Sequence, residues 1–138
     1  MNCSIEEAAR FLKERDRVLI LCHRNPDGDT LGCGYGLYYA LKAMGKSARL
    51  LCSDPPPQNL RYLTGGYVET DFTPETIVSV DIADEQLFGN GLTEYLGRVD
   101  LAIDHHPSHQ PFASRVLLEP DSAAACEIVG QVIRAMGV

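Results

Sequence analysis

The sequence predicts an α/β fold with three layers, a three-layer sandwich in which helices flank a mostly parallel sheet. Short apolar runs alternate along the chain with longer segments of helical spacing, as is typical of parallel strands joined by helices. The run Val18–Cys22 is apolar throughout, as expected of a strand buried on both faces. Acidic residues directly follow three of the predicted strands. This places them at the C-terminal edge of the strands, where such sheets bind ligands.

Local signals predict the elements in order. Ser4-Ile5-Glu6-Glu7 has the pattern of a capping box and predicts a helix that continues to about Glu14. The next elements predicted are a strand over Arg17–Cys22, a polar loop over His23–Asp29, a helix over Thr30–Met44 ended by Gly45, and a strand over Ala48–Cys52. The later ones are turns at Asp54–Pro57 and Gly65-Gly66, a strand over Glu75–Asp81, a short helix or turn near Glu85–Leu96, strands over Val99–Asp104 and Val116–Leu118, and a helix from Ser122 to about Ala135.

The second predicted helix contains Gly32, Gly34 and Gly36 in its N-terminal half. Glycine costs helix stability, so we expect these positions to pack closely against a neighbour or a ligand. The three glycines lack the G-x-G-x-x-G spacing of a dinucleotide-binding loop, which disfavours a dinucleotide-binding domain.

Composition limits the class of protein. The 138 residues suffice for one domain with a buried core. The formal net charge of −7 argues against binding of long duplex nucleic acid, but not against a small anionic substrate held by bound cations. The five cysteines form no C-x-x-C pair and predict reduced thiols in a cytoplasmic protein. No signal peptide or membrane-spanning segment is predicted.

Three acidic sites follow strands, and two of them include histidine. The first is the H-x-x-x-D-x-D arrangement of His23, Asp27 and Asp29. The second is Asp81, and the third is the triplet Asp104-His105-His106. If the strands are parallel, their carboxyl ends meet at one edge, and these side chains converge there. The sequence therefore predicts a catalytic metal site.

The donor atoms indicate which metal this site would take. Imidazole and carboxylate ligands without thiolate favour Mn²⁺, with Mg²⁺, Co²⁺ and Zn²⁺ as alternatives. One ion needs only three or four of these groups. The surplus indicates two ions that share a carboxylate, as in phosphoester hydrolysis. Gly28 would let the loop turn so that Asp27 and Asp29 face one centre.

Each group alone has an ordinary explanation. An Asp-Gly-Asp sequence is usually a turn, and a single Asp at a strand end is usually a helix cap or an ion-pair partner. The occurrence of all three groups at matching positions favours the metal site. Among the other acids, we expect Asp84 and Asp121 to cap helices, and Asp100 to lie at the start of its strand, away from the site.

In combination, these residues resemble the motifs of the DHH phosphoesterases. The resemblance rests on the loop His23–Asp29, on Ser79-Val80-Asp81 and on Asp104-His105-His106, and it extends from Val18 through Met136. The branch most similar to this chain is that of the bacterial bifunctional oligoribonucleases, which also act as phosphatases on 3′-phosphoadenosine 5′-phosphate.

The resemblance implies two Mn²⁺ ions. The first would be held by His23, Asp27 and Asp81, and the second by Asp29, His105 and Asp81 as the bridge. A hydroxide activated by both ions would attack phosphorus.

The resemblance also implies roles toward the substrate. His106 would contact the scissile phosphate or assist the leaving group. Asp104 would orient the histidines, and Asn25 would place the loop or contact a phosphate oxygen.

The chain departs from the family pattern in two respects. His109 stands where the family often has asparagine, and we expect a hydrogen-bonding role there rather than a ligand role. The family's fourth motif, which supplies another aspartate to the second metal, and its C-terminal substrate-binding domain are not found within residues 1–138. Asp121 is a conceivable substitute for that aspartate. We interpret residues 1–138 as an incomplete N-terminal DHH phosphoesterase domain and expect weak or no turnover from it alone.

Three functions remain open. The leading one is a Mn²⁺-dependent phosphoesterase that hydrolyses short oligonucleotides or a nucleoside 3′,5′-bisphosphate. A manganese pyrophosphatase or polyphosphatase is an alternative, because those enzymes share the motif set. The other alternative is a non-catalytic metal- or nucleotide-binding fragment. We expect no membrane partner, and we leave a homodimer open because the surface next to the missing part could be apolar.

Overall fold

The computed structural model describes all 138 residues and contains one five-stranded sheet. Its strands are β1 (Val18–Leu21), β2 (Ala48–Leu51), β3 (Thr76–Val80), β4 (Leu101–Asp104) and β5 (Arg115–Leu118). They lie in the order β2-β1-β3-β4-β5, and every neighbouring pair is parallel. The predicted α/β class with a parallel sheet is therefore confirmed. The helices are α1 (Ile5–Lys13), α2 (Gly28–Ala43) and α3 (Ala125–Ala135), and the short 3-10 helices are Gln58–Thr64, Glu85–Phe88 and Asn90–Tyr95.

The two faces of the sheet are covered differently. The larger apolar cluster holds residues of all three α-helices, which pack together against one face. On the other face, Leu19 and Leu21 of β1 belong to a smaller cluster with Phe88 and Leu92 of the two later 3-10 helices. The second layer is thus built from 3-10 turns, since Gly89, at a φ of 81°, interrupts the segment between them.

The topology creates a crevice beside β1. From β1 the chain passes through α2 to β2 on one side, and it later returns to place β3 on the other side of β1. The connection from β3 to β4 covers the opposite face of the sheet from α2. In open parallel sheets, ligands bind at such a switch point, beyond the carboxyl ends of the strands.

Helix α2 begins two residues earlier than predicted. Gly28 is its first residue, and Asp27 is its N-cap, since Oδ1 of Asp27 accepts a hydrogen bond from the Thr30 amide at 3.0 Å. The expectation that Gly28 turns a loop is therefore wrong. Asp29 lies in the first helical turn, where the helix holds its side chain in a fixed direction.

Helix α3 begins at Ala125, and the expectations that Ser122 opens it and that Asp121 caps it are wrong. Ala124 at the N-cap position supplies no side-chain acceptor. The carboxylate of Asp29, far away in sequence, accepts hydrogen bonds from the amides of Ala125 and Cys126, each at 2.9 Å. A distant acidic group at a helix N-terminus satisfies free amides as well as a local cap does.

The glycines of α2 divide into two kinds. A Cβ at Gly34 would lie 2.5 Å from Cδ1 of Leu50, and one at Gly32 would lie 2.9 Å from Sγ of Cys126. Close packing is confirmed at both positions. The expectation is wrong for Gly36, because no atom lies within 4 Å of a Cβ placed there.

Other local predictions agree with the structure. The capping box of Ser4 and Glu7 is present in both directions, and Asp84 caps the 3-10 helix that follows it. Asp100 accepts a hydrogen bond from the Ile77 amide at the opposite end of the strands from the acidic edge. All five cysteines are free thiols. Among the helices, none combines the length and the apolar character that a membrane span requires.

Candidate metal centre

The predicted site residues come together at the carboxyl ends of the three central strands. His23 lies just beyond β1, Asp81 directly follows β3, and Asp104 is the last residue of β4. These strands are adjacent in the sheet, so side chains distant in sequence share one edge.

Asp81 lies at the centre of this edge. Its Oδ2 atom is 3.8 Å from Nε2 of His23, and its Oδ1 atom is 3.3 Å from Nε2 of His105. A second carboxylate approaches each imidazole. Oδ1 of Asp27 is 3.5 Å from Nε2 of His23, and Oδ2 of Asp29 is 3.5 Å from Nε2 of His105. Two groups of three donors therefore share the carboxylate of Asp81, one on each of its oxygens.

Hydrogen bonds fix how two imidazoles face this carboxylate. Nδ1–H of His23 donates to the carbonyl of Arg24 at 2.7 Å, and Nδ1–H of His105 donates to the carbonyl of Ser122 at 3.2 Å. A ring nitrogen that donates in this way leaves the lone pair on the other nitrogen. Both Nε2 lone pairs are therefore directed toward carboxylates. This arrangement suits a metal ion between them, because metal-bound histidines usually donate their other N–H to a carbonyl or carboxylate.

The environment of Asp81 is unfavourable without a cation. The residue is only 3% exposed, and its buried Oδ1 atom has no hydrogen-bond partner. Burial, together with the negative charge of Asp29, raises the pKa of Asp81 to about 7. Its backbone has a φ of 61°, in the left-handed region that costs a non-glycine residue about 1 kcal/mol or more.

Divalent cations fit this donor set. Two ligand atoms about 2.1 Å from one ion, at angles of 90–110°, are about 3.0–3.4 Å apart. The distances of 3.3–3.8 Å around Asp81 are close to that spacing. A cation would also satisfy the unpartnered Oδ1 atom and offset the repulsion between the carboxylates.

Asp104 is completely buried and organises the histidines beside it. Its Oδ1 atom accepts from the amide of His105 at 2.8 Å and from Nδ1 of His106 at 2.6 Å, and its Oδ2 atom accepts from Nδ1 of His109 at 2.7 Å. Burial by itself raises the pKa of Asp104, but the hydrogen bonds from His109 and His106 outweigh it and hold this pKa below its usual value. Asp104 is therefore ionised, and it holds the rings of His106 and His109 in place.

His106 is the most exposed imidazole of the cluster, with 39% of its side chain accessible. Burial lowers the pKa of His106. The hydrogen bond to Asp104 and the nearby negative charges together outweigh burial, so the pKa of His106 is raised. Asp104 holds Nδ1, so that Nε2 of His106 is free for a substrate atom.

Two residues support the cluster from outside it: His109, whose expected hydrogen-bonding role the structure bears out, and Thr30, which the sequence did not indicate. His109 is buried and contacts Asp104, and its Nε2 atom has no partner, so it supports the triplet and is not one of the donors around Asp81. Thr30 is also buried. Its hydroxyl donates to the carbonyl of Val80 at 2.9 Å and accepts from the amide of His23 at 3.4 Å, which ties α2 to the ends of β1 and β3.

Asn25 lies beside the donor cluster and outside it. It is exposed and has a φ of 49°, and its backbone N–H donates a hydrogen bond to Oδ2 of Asp54 at 2.7 Å. It lines a polar groove of about 310 Å³ together with Arg24, Ser53, Asp54, Gly89, Asn90 and Gly91.

Comparison with known proteins gives a family match. The family model described as DHH family, N-terminal domain matches residues 17–137. This range includes all the proposed metal ligands and the histidines beside them, from His23 to His109.

Curated relatives cover most of this chain. A bifunctional oligoribonuclease and PAP phosphatase of Thermus thermophilus is 32% identical in an alignment 127 residues long, which covers 88% of this chain and 37% of that protein. A protein of the same name from Mycoplasma genitalium is 26% identical, over 89% of this chain and 41% of its own length. The chain thus spans about two fifths of the length of these relatives.

A solved structure has the same fold. The crystal structure of an exopolyphosphatase-related protein from Bacteroides fragilis superimposes with a TM-score of 0.83 at 20% identity. The match covers 96% of this chain and 43% of that one.

Proposed function

The chain belongs to the DHH family, and from this membership and the geometry of the strand ends we propose that it is the metal-binding part of a phosphoesterase. One observation carries the proposal. The two oxygens of the buried Asp81 carboxylate each approach a different imidazole, and a second carboxylate stands beside each imidazole. This is the arrangement needed for two cations bridged by one carboxylate, as in two-metal hydrolysis of phosphoesters.

The substrates we propose are short oligonucleotides and nucleoside 3′,5′-bisphosphates. The names of the Thermus thermophilus and Mycoplasma genitalium relatives support this class. The charge of the molecule supports a need for bound cations with any such anionic substrate. A chain with a net charge of −7 and a cluster of carboxylates at the site can attract a phosphate only when cations are bound there.

Two ions, Mn²⁺ by our proposal with Mg²⁺ or Co²⁺ as alternatives, would lower the pKa of an attacking water and neutralise charge on the phosphate oxygens. His23, Asp27 and Asp81 would hold one ion, and Asp29, His105 and Asp81 would hold the other. The carbonyls of Arg24 and Ser122 orient the two imidazoles for this task. Thr30 keeps the strand ends and α2 in register.

His106 and Asp104 would act on the substrate side. Asp104 fixes the His106 ring through Nδ1, so Nε2 is the atom that can contact a phosphate oxygen or give a proton to the leaving oxygen. The raised pKa of His106 favours the protonated ring that this second role requires. Asn25 would contact the substrate from the adjoining polar groove.

We further propose that these residues form the N-terminal part of the enzyme. The relatives are more than twice as long as the matched region, and the remaining metal ligand and the substrate-binding domain would come from outside residues 1–138. Turnover by the 138 residues alone is then expected to be weak or absent.

Metal binding tests the proposal on the chain itself. Calorimetric titration with Mn²⁺ should show binding that Asp81→Asn abolishes, because this substitution removes the charge between the two groups of donors. Asp71→Asn is the matched control, since Asp71 is an exposed carboxylate in the loop before β3. Equal Mn²⁺ affinity in all three proteins would refute the metal centre.

Hydrolysis tests the substrate class in the full natural protein. With Mn²⁺, a dinucleotide and a nucleoside 3′,5′-bisphosphate should be turned over faster than pyrophosphate, and Asp81→Asn should remove both activities. Faster turnover of pyrophosphate would point to the pyrophosphatase alternative instead. Normal turnover by a folded Asp81→Asn enzyme would exclude the proposed chemistry altogether.

A further inference from the structure

We propose that Cys33, Cys126 and Asp29 form an additional cation site that takes a soft divalent ion such as Zn²⁺. The site lies between α2 and α3, beside the donors grouped around Asp81. Its thiolates distinguish it from the proposed Mn²⁺ centre, whose ligands are imidazoles and carboxylates.

The spacing of the ligand atoms supports coordination. The Sγ atoms of Cys33 and Cys126 are 3.8 Å apart, and Sγ of Cys33 is 3.8 Å from Oδ1 of Asp29. Two thiolates about 2.3 Å from a tetrahedral Zn²⁺ are separated by about 3.8 Å. A disulfide would require a sulfur–sulfur distance of about 2.05 Å. The two sulfur atoms therefore already have the separation that a shared ion requires, whereas a disulfide would need them to move together.

The backbone holds these ligands in place. Cys33 follows Asp29 by one helical turn, so both side chains lie on one face of α2. The amides of Ala125 and Cys126 hold the Asp29 carboxylate from α3. Gly32 provides the space for the second thiol, because a Cβ there would lie 2.9 Å from Sγ of Cys126.

The two cysteines differ in accessibility. Cys126 is exposed and Cys33 is buried, so an ion would enter from the Cys126 side and be partly dehydrated as it reaches Cys33. Binding would release the two thiol protons to solvent and leave two thiolates and one carboxylate around the ion, with water or another donor completing the coordination. Oδ2 of Asp29 faces His105, so Asp29 would connect this site to the cluster at the strand ends.

Cobalt(II) is the probe for this site, because ligation by thiolate gives an ultraviolet charge-transfer band that imidazole and carboxylate ligands do not give. The 138-residue chain, kept reduced, should develop this band on titration with Co²⁺. Cys126→Ser should weaken binding at the site at least about 10-fold, as loss of a direct ligand costs no less than loss of an outer partner. Cys33→Ser should do the same. Cys3→Ser is the matched control and should leave the band unchanged, since Cys3 lies before α1.

The same titration separates this site from the proposed phosphoesterase centre. Asp81→Asn should abolish Mn²⁺ binding and keep the cobalt–thiolate band, so the failure of one proposal does not imply the failure of the other. Absence of the band in the unsubstituted chain would overturn the proposal. So would a band that persists in both Cys126→Ser and Cys33→Ser, provided that circular dichroism shows both variants to be folded.

Discussion

Nδ1 of His109 lies 2.7 Å from Oδ2 of Asp104, and both side chains are buried at the end of β4. Through this contact a residue outside the proposed metal ligands donates a hydrogen bond to the carboxylate that holds His106 and orients it. The other oxygen of Asp104 is already shared by the amide of His105 and the ring of His106. His109 therefore provides the only hydrogen bond to Oδ2 of Asp104 within the chain.

Replacement of His109 tests this role. His109→Ala leaves a buried carboxylate oxygen without a donor, and we expect it to lower the free energy of unfolding by about 1–3 kcal/mol. His109→Asn should cost less, because the amide nitrogen of asparagine can occupy the place of Nδ1 and the unpartnered Nε2 atom is removed. Urea denaturation measures both variants. If asparagine and alanine are equally destabilising, the contact with Asp104 is not what His109 contributes.

A second prediction concerns two glycines of α2. Gly34→Ala should destabilise the protein by about 1–3 kcal/mol, because the new methyl group would lie 2.5 Å from Cδ1 of Leu50 and 2.8 Å from Sγ of Cys22. Gly36→Ala meets no neighbour within 4 Å and should stabilise the helix by about 0.5–1 kcal/mol. Thermal unfolding of the pair provides the comparison. A loss of stability in both variants would show that the space around each Cβ does not decide the effect of an alanine in α2.

The fold was largely predictable because its signals are local. Runs such as Val18–Cys22 are too short and too apolar for surface helices, and the capping box at Ser4 depends on four consecutive residues. The acids after the strands could be assigned to one edge because parallel strands all end on the same side of a sheet. For this reason the convergence of His23, Asp81 and His105 followed from topology alone.

Several of the errors concern contacts between distant segments. Nothing near Ala125 in the sequence indicates that its amide is capped by Asp29, since the cap comes from another helix. The pairing of Cys33 with Cys126 was missed for the same reason. A weak signal was present in the spacing of Asp29 and Cys33, one helical turn apart, but only a correct start of α2 at Gly28 would have placed them on one helix. Such contacts depend on tertiary packing and leave no local pattern.

The cap of α3 gives a third prediction. Asp29→Ala removes the acceptor of two amides and should destabilise the protein by about 1–2 kcal/mol. Asp29→Asn keeps one acceptor oxygen and should fall between alanine and the unsubstituted protein. Asp121→Ala is the control, because Asp121 is exposed and makes no hydrogen bond through its side chain; its effect should stay within about 0.5 kcal/mol. Chemical denaturation in the presence of a chelator excludes any metal contribution. If replacement of Asp121 lowered the free energy of unfolding more than replacement of Asp29, the sequence-based prediction that Asp121 caps α3 would be supported instead.

The last prediction concerns the stability of the metal-free protein and its dependence on pH. Burial and the charge of Asp29 raise the pKa of Asp81 to about 7 in the folded state, above its value of about 3.9 in an unfolded chain. Below about pH 4 this carboxyl is protonated in both states and carries no penalty. As the pH rises toward 7 the unfolded chain loses the proton first, so the folded state is progressively disfavoured, and the penalty is complete above the folded pKa.

Asp81→Asn removes this penalty and keeps a side chain that tolerates the φ of 61°. In the presence of a chelator, the variant should therefore be about 2–4 kcal/mol more stable than the unsubstituted chain near pH 8, and the two should converge near pH 4. The remaining titrating groups are common to both proteins, and Asp29 and His106 are coupled to Asp81, so the difference between the two proteins reports on Asp81 together with these neighbours. Added Mn²⁺ should reverse the order near pH 8, since only the unsubstituted chain gains stability from a bound ion. If the variant were the less stable protein near pH 8 without metal, the Asp81 carboxylate would be favourably solvated or paired, and the case for a cation beside it would weaken.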